Sequence, residues 1–260
     1  MTAPLALGIS LAVALAARGT RAVSGSGAAA ATLVGLAVLW GTGWAGAAVL
    51  GAFFVPSTLV GRLGARRPGA GDARGEQRDA VQVLANGGAG ALGACAERVA
   101  PGAGFWILTA ALAAAAADTW ATALGAWSRR DPRDLLRRTP VPRGSSGGVT
   151  WWGTWGGVLG AFSVAATAAA VRRDGRLLGA GLVLGVTGML LDSLLGAAWQ
   201  ARFRCAACGL PSERRIHRCG ARTDLIRGWR WLDNDGVNAL ATALSGVAGA
   251  LWFRLALGGG

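Results

Sequence analysis

Long apolar runs separated by short arginine-bearing segments make up most of the chain, and their lengths predict membrane helices. No charged residue falls between Arg21 and Arg62. About 20 apolar residues cross one bilayer as a helix, so those 40 residues predict two crossings, divided by a hairpin at Gly41-Thr42-Gly43. Further crossings are predicted over 81–97, 104–126, 149–171, 177–200 and 236–257, with a shorter one over about 3–17, which makes about eight. A cleaved signal is the other reading of 3–17, but its start, Met-Thr-Ala-Pro, lacks the basic segment that such signals carry, which favours a retained helix. A composition of 53% hydrophobic and 15% charged residues, with no Tyr, fits an all-α polytopic membrane protein, one transmembrane domain over 1–260.

Charge then orients the helices. All 26 basic residues are Arg, and the loops 18–26, 62–80, 127–148 and 201–235 carry 2, 5, 6 and 8 of them, leaving five on the opposite side: Arg98, Arg172, Arg173, Arg176 and Arg254. Positive residues stay inside, so the arginine-rich loops are expected in the cytoplasm, with the protein in the inner or plasma membrane and both termini outside. A net charge of +13 can signal nucleic acid, but that needs a soluble basic domain, and every basic loop here is short. Anionic headgroups and nucleotide phosphates are better partners.

Polar residues inside the apolar runs supply the candidate chemistry. A carboxylate in hydrocarbon is costly and marks a functional site by default, and two occur, Asp118 and Asp192. Each is expected about two turns from the cytoplasmic end of its helix, level with Asn86 about one turn into another and with Asp233, Asn234, Asp235 and Asn238 where the last begins. Stripes at helical spacing, Gln82/Asn86/Gly90/Gly93, Asp118/Thr122/Gly125, Gly188/Asp192/Gly196 and Asp235/Asn238/Thr242/Ser245, should face one another. Glycine stripes alone signify close helix packing, as in Gly153/Gly157 and Gly156/Gly160. Acids are not needed for packing. Carboxylates and amides without His or Cys are hard oxygen donors that suit Mg²⁺, which keeps waters and shares phosphate oxygens. Asp235 reads equally as a helix cap. Before the helix 149–171, the run Thr139-Pro-Val-Pro-Arg143-Gly144-Ser145-Ser146-Gly147-Gly148 could converge backbone N–H groups on an anion beside a positive helix end, with Arg143 as a fixed charge.

Five stretches together resemble the integral membrane family that includes plant phytyl-phosphate kinase of vitamin E synthesis and animal transmembrane protein 19. They are Gln82-Val-Leu-Ala-Asn86-Gly87-Gly88, Ala117-Asp118-Thr119-Trp120-Ala121-Thr122-Ala123-Leu124-Gly125, Val141-Pro-Arg-Gly144-Ser-Ser-Gly147-Gly148-Val149-Thr150, Leu191-Asp192-Ser193-Leu194-Leu195-Gly196-Ala197 and Asp233-Asn234-Asp235-Gly236-Val237-Asn238. The resemblance implies a kinase that uses a nucleoside triphosphate, CTP by preference, to turn an isoprenoid monophosphate into its diphosphate. On that reading Asp118, Asp192 and Asp235 hold Mg²⁺, while Asn86, Gly87, Gly88, Thr119, Ser193 and Asn238 orient phosphates or metal waters. Arg143 with Gly144, Ser145, Ser146, Gly147 and Gly148 binds the triphosphate. One departure is Ala123, where the family usually has Glu.

The loop 201–235 carries a separate constellation, Cys205-x2-Cys208-x8-His217-x-Cys219. Three of the four cysteines and the only histidine fall within 15 residues, a ligand set for tetrahedral, structural Zn²⁺. A reduced loop without metal is the bland alternative, and a disulfide does not suit a cytoplasmic segment. Cys95, in a membrane helix, reads as packing, and Trp40, Trp44, Trp106, Trp151, Trp152, Trp229, Trp231 and Trp252 read as interfacial anchors. Three other functions use parts of the same inventory: lipid-phosphate cytidylyl transfer, transport and a membrane scaffold.

Overall fold

The computed structural model describes residues 1–65, 77–213, 215–217 and 219–258. Arg66, Arg67, Arg74, Arg214 and Arg218, counted above in the basic loops, lie outside the described residues. Among the described residues the chain forms seven helices: α1 (Ala3–Gly19), α2 (Gly25–Ala65), α3 (Ala80–Ala96), α4 (Ala103–Gly125), α5 (Trp151–Arg172), α6 (Arg176–Ala198) and α7 (Asn234–Gly258). Five of these, α2 and α4 to α7, are long and apolar enough to cross a membrane, while α1 and α3 have 17 residues each.

The 41-residue α2 is two helices meeting at a kink, because Gly43 has φ 65° and ψ −152°, a conformation that only glycine adopts cheaply. Gly35 in the first arm lies against Ser10 of α1, whereas Gly64 in the second lies against Ala123 of α4. Arg62, near the free end of the second arm, donates to the carbonyl of Thr20 just past α1. Val23, just before the first arm, bridges to Arg78 just before α3. The free ends of both arms therefore lie at the same end of the molecule, and the break expected at 41–43 falls on Gly43.

Helix starts follow local chemistry. Asp79 and Gln82 form a capping box on α3, and Thr150 Oγ1 accepts the Gly153 N–H at 3.0 Å to start α5. On α7 the cap is Asp233, which accepts from the Gly236 N–H at 3.0 Å. Asp233 thus takes a capping role of the kind weighed for Asp235, which sits inside the first turn.

Helix α4 is the central post. It packs against α2, α3, α5, α6 and α7, and each residue from Ala110 to Ala117 is at most 2% exposed. Alanines make this crowding possible, since their small side chains let five partners approach one axis. The glycine stripe of α5 brings it nearest: a Cβ on Gly156 would lie 2.8 Å from the Trp120 carbonyl oxygen, and one on Gly160 2.6 Å from that of Ala116. Such backbone proximity supplies the van der Waals contact that holds helices together where lipid offers no hydrophobic drive.

The structure departs from an all-helical chain outside the bundle. Strands β1 (Arg133–Asp134) and β2 (Gly148–Val149) pair antiparallel, and β3 (Arg202–Cys205) pairs with both β4 (Pro211–Ser212) and β5 (Thr223–Arg227). Trp106 is also corrected: it is 5% exposed with its ring 6.0 Å from that of Phe253, a packed residue rather than an interfacial anchor.

Candidate functional site

Three helices meet at one point. A Cβ on Gly188 of α6 would run into Ser245 Oγ of α7 and Ala114 Cβ of α4. Residues four apart share a helix face, so one turn farther along α4 and α6 are Asp118 and Asp192, both half-buried. Helix α7 runs the opposite way: one turn back from Ser245 is Thr242 and a second turn back is Asn238, 3% and 4% exposed. Thr242 Oγ1 donates to the Ala85 carbonyl at 2.9 Å, which brings in α3 and, one residue on, Asn86. Asn86 itself donates to the Gln82 carbonyl at 2.9 Å. Asp118, Asp192, Thr242 and Asn86 therefore lie at about one depth on four helices, with Asn238 one turn beyond. Asp118, Asp192 and Asp235 do not form a compact trio: among the described residues, the cluster of three or more Cys, His, Asp or Glu with ligand atoms within 4.8 Å is the Cys/His one.

Ala123 is 7% exposed and packed on Gly64 of α2, on a different face of α4 from Asp118. A glutamate there would point at α2, not into the layer between α4 and α6. The alanine permits the close α2–α4 contact and leaves the Asp118 face intact.

The loop from 126 to 150 lies under α6. Gly147, at φ 78°, has no room for a Cβ, which would come 2.5 Å from that of Ala197. Its neighbour Ser146 is tied down by groups the sequence did not single out. Glu213 Oε1 accepts from the Ser146 N–H at 3.0 Å and from its hydroxyl at 2.6 Å. Gln200 Nε2 donates to Ser146 Oγ at 2.7 Å and to Glu213 Oε2 at 3.3 Å, and Arg202 donates to the Ser146 carbonyl. Arg143 is likewise engaged, donating to the Ser128 carbonyl at 2.7 Å and lying 3.5 Å from Asp131. Arg143 and Ser146, expected as phosphate ligands, also brace the loop through these bonds.

Positive charge is instead concentrated one strand away. Arg202 on β3 is in register with Arg227 on β5, and both lie near the buried carboxylate of Asp134. The N–H groups of Arg137 and Leu136, with those two arginines, hold Asp134 below the usual carboxylate range against the opposing effect of burial. Burial, with Arg202 and Arg137 nearby, lowers the Arg227 guanidinium. Three arginines around one acid leave a cationic excess beside the glycine loop. No local motif could have found this pairing, since it depends on the β3–β5 register.

The Cys/His module folds as expected of a metal site. Cys205 Sγ is 3.5 Å from Cys219 Sγ, and His217 Nδ1 lies 3.4 Å from Cys208 Sγ and 3.1 Å from Cys219 Sγ. Gly209 at φ 70° and Gly220 at φ 82° turn the backbone around the donors. The Cys205 thiol is lowered to about 7, first by the N–H of Cys208, then by the Cys208 thiol, the N–H of Ala207 and the Cys219 thiol, against burial. Three sulfurs and one imidazole nitrogen, all within 4.8 Å of one another, could hold a tetrahedral metal such as zinc. At the module's base the Ala201 N–H donates to the Leu232 carbonyl at 2.8 Å, one residue before Asp233. Glu213 gives the module a second hold, on the glycine loop.

Comparison with known proteins fits this construction. An uncharacterized membrane protein of Methanocaldococcus jannaschii is 28% identical over 243 residues, covering 92% of this chain and 89% of its own. Protein PGR of Arabidopsis thaliana is 27% identical over 228 residues, covering 76% and 78%. No solved structure matches. The model of one family, integral membrane protein DUF92, matches residues 8–246, and the chain belongs to that family.

Proposed function

We propose that the protein is a membrane-embedded kinase that moves the γ-phosphoryl group of CTP to an isoprenoid monophosphate such as phytyl phosphate. The observation that carries this reading is the contact of α4 with α6 at Ala114 and Gly188, one turn before Asp118 and Asp192, at the end of the bundle that bears the glycine loop and the Arg202/Arg227 pair. With the two arms of α2 counted separately, the helices make eight crossings, and the arginine-rich end faces the cytoplasm, where CTP is found.

The layer suits Mg²⁺, because its donors are carboxylates, amides and hydroxyls, and Mg²⁺ needs only one or two carboxylates when phosphates complete its shell. Asp118 and Asp192 would hold the ion, which would neutralise charge on the transferred phosphoryl group. Asn86, Thr119, Ser193 and Asn238 orient phosphate oxygens. Arg202 and Arg227 supply the positive charge for the triphosphate, and Glu213 and Arg143 keep the glycine loop in position.

No catalytic base is required. A phosphomonoester, with its second pKa about 6, is largely ionised near pH 7. Its oxygen attacks the γ-phosphorus, the bond from that phosphorus to the β–γ bridging oxygen breaks, and CDP leaves with the electron pair. Alignment and charge neutralisation do most of the work in such transfers. Zinc in the Cys/His module has a structural part, since all four positions are filled by protein.

The test incubates purified protein with Mg²⁺, CTP and a panel of isoprenyl monophosphates, and separates the products. CDP with lipid diphosphate is expected. Pyrophosphate with a cytidine-linked lipid would replace the kinase by a cytidylyltransferase on the same ligands, and no nucleotide turnover would leave transport or scaffolding.

A further inference from the structure

A cavity of about 220 Å³ lies between α1, both arms of α2 and the beginning of α3. Its wall is apolar along almost its whole length, from Trp44 beside the Gly43 break through Leu39, Val34 and Ala14. The other end is different: Arg78, Gln82 and Asn86 line it. The Arg78 guanidinium lies over the rings of Phe53 and Phe54, 5.7 and 5.8 Å from their centroids. Its backbone is fixed by the Arg78 N–H to the Ala22 carbonyl at 3.2 Å and by the Ser24 N–H to its own carbonyl at 2.9 Å. From Trp44 to Phe54 the second arm of α2 rises about 15 Å at about 1.5 Å per residue.

A slot that is apolar over that length, with a cation and amides at one end, matches a single hydrocarbon chain with an anionic head. Two chains, or a compact polar molecule, do not fit the same description. The head end also touches the polar layer: Asn86 lines the cavity, and the preceding carbonyl, that of Ala85, accepts from Thr242.

We propose that this cavity holds the tail of the isoprenoid monophosphate, with Arg78 and Asn86 at its phosphate and the Trp44 end limiting chain length. The assignment rests on the kinase reading for the identity of the lipid, and the cavity places the tail between α1, α2 and α3, away from α5 and α6. Arg78 is then a binding residue for the acceptor, separate from the groups that hold the nucleotide.

The experiment uses the wild-type protein in phosphatidylcholine nanodiscs with a farnesyl monophosphate that carries a diazirine in its tail. After irradiation, mass spectrometry is expected to find the label in 10–17 and 34–54. Geranylgeranyl monophosphate should compete, while geranylgeraniol and excess phosphatidylcholine should not. Label on α5, α6 or α7 instead, or equal competition by the alcohol or the phospholipid, would overturn the assignment. Two variants, each checked for an unchanged elution volume, sharpen it. Arg78→Gln should weaken monophosphate binding about tenfold or more, as loss of a charge-assisted contact does, without affecting the alcohol. Ala47 lines the cavity one turn from Trp44, and Ala47→Trp should shift the preference toward geranyl monophosphate; unchanged preferences in both variants would count against the cavity. Label in the cavity with no CDP formed would keep the tail site and remove the kinase, whereas CDP formed with label elsewhere would do the reverse.

Discussion

In the Cys/His module all four donors come from 15 residues, and β-pairing with two glycine turns sets their atoms within 4.8 Å. In the intramembrane layer Asp118, Asp192, Asn238 and Asn86 come from four helices, and no short segment holds any two of them. The first can gain its order from one ion, because metal binding to a local ligand set is itself folding free energy. The second must be held by the rest of the bundle, since a carboxylate in hydrocarbon is unfavourable until partners surround it. Local sites survive damage to distant packing; distributed ones do not.

The largest expected effect comes from breaking the distributed site. Asp118→Asn and Asp192→Asn should each lower CDP release at least about a hundredfold, the scale of losing one preorganised electrostatic contact, with the protein still monodisperse. Undiminished release by either variant would remove it as a metal ligand. Next comes the packing that assembles the layer. Gly160→Ala, whose Cβ would lie 2.6 Å from the Ala116 carbonyl, should destabilise the bundle by about 1–3 kcal/mol in thermal melts while leaving zinc content unchanged. If metal is lost together with the bundle, the two regions do not fold independently.

The local site should break with smaller consequences for turnover. Cys208→Ser should release bound metal, measured by elemental analysis, and open 203–223 to protease, with activity falling about tenfold, as for loss of an outer support to a site. Glu213→Gln tests the link between the regions. It keeps the metal but weakens the charge-assisted bonds to Ser146, so KM for CTP should rise several-fold with kcat nearly constant. An unchanged KM would make Glu213 a purely structural contact.

The smallest effect is on pH. Asp134 is held below its ordinary value of about 3.9, so its contribution to loop order is fully present above that pH and is lost only as pH falls through its lowered folded value. Protection of residues 131–148 from hydrogen exchange should be level from pH 7 to pH 5 and fall below about pH 4. Asp134→Asn should flatten that fall.

The sequence was a good guide wherever a feature is decided within a few residues. Helix limits, the Gly43 break, the α5 glycine stripe and the Cys/His donors all follow from composition, backbone freedom or spacing. It was a poorer guide wherever a residue's role depends on what reaches it from elsewhere. The sequence shows no sign that Arg143 also holds the Ser128 carbonyl or that Glu213 reaches Ser146 from 67 residues away. Trp106 reads as an anchor until Phe253 covers it. Asp235 reads equally as a metal ligand and a cap, and only the structure shows Asp233 accepting the Gly236 N–H. The departure at Ala123 gains a meaning only when Gly64 shows which face of α4 it occupies.

Alone, the amino-acid order determined that this chain lives in a membrane, where its helices begin and end, and which fifteen residues can clasp a metal, because hydrophobic length, capping chemistry and ligand spacing act over one or two turns. Only the folded bundle decided that α4 and α6 meet at Ala114 and Gly188, that Glu213 holds the glycine loop, and that Arg202 and Arg227 stand together. Those relations come from close approach between segments far apart in the chain, made possible by small residues on α4, α5 and α6 and fixed by strand register.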